Sequence, residues 1–130
     1  MSEAATKSKT MGKSLYERLG GATGIARIVD DVIAAHLANP VVQTRFQNIE
    51  DLDHARQMAR EFFASGSGGP ETYTGRPMRL AHQGMNISEQ EYLAVIEDIM
   101  TTLDRHGIDE SSQKDVLAIL YSLRREIIRL

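Results

Sequence analysis

Four histidines carry the strongest chemical options in this 130-residue chain, which holds no cysteine. Imidazole serves both as a metal ligand and as a proton carrier near neutral pH. His82 stands in RPMRLAHQGMNIS at 76–88, after a short apolar run and two residues before a glycine, with Met78 four residues back and Ala81 beside it. On a helical turn, residues four apart share a side, so His82 and Met78 would face one apolar surface. Two readings are open from these residues alone. His82 is a helix-terminal histidine bonded to a backbone carbonyl, or it is the axial ligand of iron in a planar macrocycle. Such a centre needs one strong protein ligand and a broad apolar slot, which would explain the missing second ligand.

The other three histidines carry blander readings. His54 lies four residues before Met58 and eight before Phe62, at the margin of an apolar helix face. It is either a solvent-edge residue near a helix start or a group that approaches a cofactor from the side opposite His82. His36 falls within an apolar stripe and reads as a hydrogen-bonded interior or boundary residue. His106 precedes Gly107 at a helix end, where a cation suits the helix dipole. The glycine-rich stretch ASGSGGPETYTGRP at 64–77 has no preceding strand and no closing Gly-Lys-Ser/Thr, so it lacks the phosphate-binding signature. There is no paired-histidine zinc motif and no nucleophile motif, and Asp and Glu read as solvated helix faces.

The elements that must position these side chains follow from helical periodicity. SLYERLGG predicts a short helix with a glycine stop. From Thr23, the residues Ile25, Ile28, Val29, Val32, Ile33 and Leu37 predict a long helix closed by Asn39-Pro40. Asn39 would cap a brief helix opened by Pro40 and ending near Phe46. Leu52, Ala55, Met58, Ala59, Phe62 and Phe63 line the next helix. Residues 64–77 read as a loop, followed by a helical turn holding Met78 and His82. Ser88 with Glu91 is a capping-box signature opening a helix to about His106. Asp109 would cap a last helix whose stripe runs from Val116 through Leu117, Leu120 and Leu123 to Ile127 and Ile128. No strand competes with these patterns, so the fold class is all-α.

Composition bounds the rest. One domain fits this length. A hydrophobic fraction of 42%, a charged fraction of 25% and a net charge of −3 argue against nucleic-acid partners, and no apolar run would span a membrane. Residues 1–11 are expected to form a mobile tail before a domain at 12–130, and the N-terminus lacks a secretory pattern, which predicts a cytoplasmic protein.

Taken together, LYERLGG at 15–21, IVDDVIAAHLANP, Phe46, FFASGSGGPETYTGRPMRLAHQGMNIS at 62–88 and the closing helix pair resemble the group I truncated haemoglobins. That resemblance implies a truncated globin fold, a two-over-two helical sandwich around haem b. It implies His82 as proximal iron ligand and Phe46 as an aromatic wall. It puts Tyr73, Met78, Ile87, Tyr92, Val95 and Ile99 near the proximal side or the haem edge, with Ala55, Met58, Phe62 and Phe63 across the ring. Arg76 and Arg79 would meet the propionates.

The distal side departs from the family pattern. Where many members carry Phe-Tyr, whose hydroxyl bonds the iron-bound gas, this chain has Val32-Ile33. The usual polar pair of the facing helix falls on Met58-Ala59, leaving Gln57 or His54 as candidates for those roles. The pocket is then apolar and open at Ile33, or His54 occupies the sixth iron position. The implied function is reversible binding of oxygen, carbon monoxide or nitric oxide. The alternatives are nitric oxide dioxygenation, a bis-histidine redox or gas sensor, and a haem-free helical interaction module. Diatomic gases, a reductase and, at most, a weak dimer contact are the partners expected.

Overall fold

The computed structural model describes residues 13–130, and the expected tail at 1–11 lies outside the described residues. Seven α-helices are present in these residues: α1 Leu15–Arg18, α2 Gly21–Ala38, α3 Gln43–Gln47, α4 Leu52–Gly66, α5 Met78–His82, α6 Glu89–Arg105 and α7 Glu110–Ser122, with a 3₁₀ turn at Arg124–Glu126. The only β pairing among the described residues is an isolated bridge between Ile87 and Ile128.

Side-chain caps set the helix starts. Ser14 and Glu17 form a capping box before α1, and Ser88 with Glu91 forms another before α6. The Asp51 and Asp109 carboxylates accept backbone N–H bonds at the starts of α4 and α7. Each cap satisfies donors that the first helical turn leaves open. Inside the helices, the apolar stripes do the packing. α2 rests on both α4 and α6, α6 rests on α7, and α1 joins α2 and α7. The result is an all-α, two-over-two sandwich. Ile25, Val29, Leu103 and Val116 are among the side chains sealed at its centre.

The backbones of α1 and α2 meet at Gly24, where an added Cβ would stand 2.4 Å from the Leu19 carbonyl oxygen. Glycine normally weakens a helix interior by about 1 kcal/mol relative to alanine, but here the missing Cβ permits the close approach. Gly24→Ala should therefore destabilise the protein by about 1–3 kcal/mol. A denaturation midpoint above wild type would show that helix propensity prevails instead.

Three expected boundaries move. α4 continues to Gly66, because Ala64 is buried in the core and the Ser67 hydroxyl bonds back to the Ala64 carbonyl at 3.2 Å. Pro40 does not open α3, which starts at Gln43. Asn39 accepts a bond from the Val41 N–H and donates its amide to both Asp98 oxygens. The last helix stops at Ser122 rather than running through Ile128. Beyond it the chain lies along the loop after α5: Arg129 N–H donates to the Ile87 carbonyl at 2.9 Å, and the Leu130 carbonyl accepts from Gly84 at 2.7 Å and Asn86 at 3.3 Å. Non-helical backbone in that loop needs such partners, and the terminal segment supplies them.

Candidate functional site

A cavity of about 520 Å³ lies between the two helical layers, walled by α2, α3, α4, α5 and α6. Its volume sits within the range of about 300–1,000 Å³ usual for small-molecule and cofactor sites. It brings together Ile33, Phe46, Ala55, Met58, Phe62, Phe63, Met78, His82, Ile87, Tyr92, Val95 and Ile99 of the residues that the sequence singled out.

Two histidines reach this wall, and both have one ring nitrogen engaged. His82 ends α5, with Nδ1 2.8 Å from the Met78 carbonyl oxygen. A carbonyl only accepts, so Nδ1 carries a proton, and the lone pair of the neutral ring is then on Nε2. A ring with Nδ1–H tied to a carbonyl and Nε2 unprotonated is the usual form of a metal-ligating histidine. Among the described residues, no three His, Cys, Asp or Glu side chains cluster to hold a metal by themselves. A metal here would need most of its ligands from elsewhere, as a macrocycle provides.

His36 is the other. It is buried on α2, with Nδ1 2.7 Å from Asp98 Oδ2 on α6 and its ring stacked on Phe46 at 4.5 Å between centroids. Burial pushes its pKa down, and the Asp98 carboxylate works against that shift. The expectation of a hydrogen-bonded interior histidine holds, but the sequence did not place it on the cavity. Its only local signal was a polar residue inside an apolar stripe.

Other polar wall groups are tied to partners. Arg45 on α3 makes a bidentate pair with Glu91 on α6. That pairing holds the Glu91 carboxyl down at about 2. The Tyr92 hydroxyl donates to the Leu120 carbonyl, and burial pushes its pKa up to about 12.

The Arg45 pair has a measurable sign. A carboxyl depressed from 4.5 to about 2 adds stability that is fully present above the upper value and lost as pH falls through the lower. Glu91→Gln keeps a capping side chain but loses the ion pair. It should cost about 1–2 kcal/mol at neutral pH, with the two proteins converging between pH 4.5 and about 2. Urea denaturation across that range checks it, and a gap independent of pH would contradict it.

Several expected residues lie elsewhere. His54 is exposed, off the cavity wall, at the start of α4, where its backbone N–H donates to Asp51. Gln57 is also exposed and bonds Glu61 at 3.0 Å. Tyr73 packs edge-on against Phe62 at 5.5 Å and donates its hydroxyl to the Arg76 carbonyl, without reaching the wall. Arg76 reaches the cavity and Arg79 does not. His106 closes α6 with Nε2 2.7 Å from Asp31 on α2.

The family model for bacterial-like globins matches residues 14–129. The chain belongs to the bacterial-like globins. The globin is 28% identical over 116 residues to the Group 1 truncated hemoglobin of Tetrahymena pyriformis, covering 89% of this chain and 95% of that protein. The ferric crystal structure of the Tetrahymena protein superposes with a TM-score of 0.86 over 91% of this chain and all of that one. The Group 1 truncated hemoglobin GlbN of Synechocystis sp. is 32% identical over 112 residues, covering 82% of this chain and 88% of that protein. The 2/2 hemoglobin of a Synechococcus species, solved in a cyanomet state with covalently attached heme, aligns with a TM-score of 0.80 at 28% identity, over 88% of this chain and 95% of that one.

Membership makes this globin a haem-binding protein, and its cavity fits the group. The wall is apolar over most of its extent, and the imidazole it presents at the end of α5 has a lone pair and a fixed ring orientation. Family membership favours haem binding over a haem-free interaction module. No helix among the described residues is long and apolar enough to cross a membrane.

Proposed function

We propose that this globin holds haem b through His82 and takes up diatomic gases on the opposite face of the ring. The observation that carries the reading is the His82 ring, pinned by the Met78 carbonyl with Nε2 left to an apolar cavity. On this reading Met78, Ile87, Tyr92, Val95 and Ile99 pack the proximal side, Phe46 and Phe62 wall the slot, and Arg76 faces a propionate. The distal surface is then Ile33, Ala55, Met58 and Phe63. It lacks a tyrosine donor, so bound oxygen forgoes about 1.5–3 kcal/mol of charge-assisted stabilisation. Exchange of gas should be fast. A reductase that returns the iron to the ferrous state and a cytoplasmic location complete the proposal.

Optical spectra of the ferrous protein with and without carbon monoxide test it. A five-coordinate spectrum that shifts on adding the gas is expected, unchanged in form by His54→Leu. A six-coordinate, low-spin spectrum before gas is added, converted to five-coordinate by His54→Leu, would replace the open pocket by bis-histidine ligation. A protein without a Soret band would overturn the proposal altogether.

A further inference from the structure

The cavity wall carries a second histidine, His36, that the haem reading leaves without a task. His36 Nδ1 faces Asp98 Oδ2 at 2.7 Å, and the Asn39 amide donates to both oxygens of the same carboxylate at 3.1 Å. Asp98 is therefore an acceptor in every one of these contacts, which places the His36 proton on Nδ1 and a lone pair on Nε2. Nε2 makes no hydrogen bond to another described residue, and His36 lines the cavity.

We infer that His36, held by Asp98, is the internal proton acceptor for small weak acids HX that enter the cavity and are retained as the anion X⁻. Hydrogen cyanide, hydrogen sulfide and hydrazoic acid belong to this class. The H–X bond breaks, its electron pair stays on X, and the proton goes to His36 Nε2. No electron is transferred. The product is an imidazolium hydrogen-bonded to Asp98, beside an anion. An imidazolium is costly to bury alone, and the Asp98 carboxylate and the neighbouring anion together offset its charge.

The neighbouring groups leave this role to His36. Arg45 and Glu91 face the cavity as a pair, and the Glu91 carboxyl, held at about 2, takes no proton near neutrality. Tyr92 is a neutral donor to Leu120. Arg76 is a cation, and His82 is committed to iron. The α4 residues on the wall, Leu52, Ala55, Met58, Ala59, Phe62 and Phe63, do not titrate. Burial favours the neutral His36 ring and the Asp98 carboxylate favours the protonated one, so an anion held beside the ring adds to the second.

The inference rests on the haem reading, because ferric haem is what would retain the anion. The two fail separately. Calorimetric titration of the ferric holoprotein with potassium cyanide, at neutral pH in buffers of different ionisation enthalpy, gives the protons released per ligand. Hydrogen cyanide is the form present in solution, so release close to zero is expected for the wild type. Release close to one is expected for His36→Phe and increased release for Asp98→Asn, each with the Soret band retained. One proton released per cyanide by the wild type overturns the inference without any variant. So does equal release by wild type and His36→Phe. A low-spin ferrous spectrum abolished by His36→Phe would make His36 an iron ligand instead, which also overturns it. Loss of the wild-type Soret band would instead strike the haem reading.

Discussion

His82→Gly should purify from haem-supplemented cells with its Soret band abolished or at least tenfold weaker, while far-UV circular dichroism keeps most of its helix signal. Helix α5 is short. Five residues make a single turn of helix, too short to be stable alone, so the ring is oriented by the Met78 carbonyl and by the packed cavity wall. On the proposed reading, removing the imidazole leaves the porphyrin its apolar contacts and Arg76 but no protein ligand to the iron, and a tenfold loss of retention corresponds to about 1.4 kcal/mol. Added imidazole should restore much of the spectrum by occupying the vacated space. An unchanged spectrum would remove His82 from the iron.

Leu103→Ala should be the most destabilising single truncation in the core, at about 2–5 kcal/mol. Leu103 is 0% exposed, on the face of α6 that meets the α2 and α7 stripes. Alanine there forfeits the transfer free energy of the lost carbons and leaves a cavity that close-packed neighbours fill only in part. Denaturation should show a lower midpoint with an unchanged slope, the mark of lost stability rather than an altered unfolded state. Haem retention should suffer less than in His82→Gly, because Tyr92, Val95 and Ile99 face the cavity from earlier turns of α6. A loss below 1 kcal/mol would mean that the helices close over the gap.

The two experiments separate what was written locally from what was not. Helices α2, α4 and α6 were legible because their apolar residues recur at helical spacing, and the Ser88–Glu91 box marks its own boundary. His82 with Met78 was legible for the same reason, since the bond that orients the ring spans one helical turn. The last helix was overextended because Ile127 and Ile128 suit a helical stripe and an extended segment beside Ile87 equally well. His36 and Asp98 are separated by 62 residues. Their pairing exists only once α2 lies on α6, and no window of sequence contains both. Glu91 shows the two levels in one residue: its bond to Ser88 was readable as a cap, and its pair with Arg45 was not.

The backbone bonds from residues 129 and 130 to the loop after His82 should also order events on the ribosome. Residues 13–82 can emerge and begin to coil, yet in the loop that carries the chain away from His82 the backbone groups of Gly84, Asn86 and Ile87 lack these partners until the terminal segment with residues 129 and 130 has been synthesised. The slot should therefore close late, after α7 is in place. Capture of the cofactor should follow release of that segment from the exit tunnel, and stalled nascent chains ending before residue 127 should hold haem poorly however helical they have become.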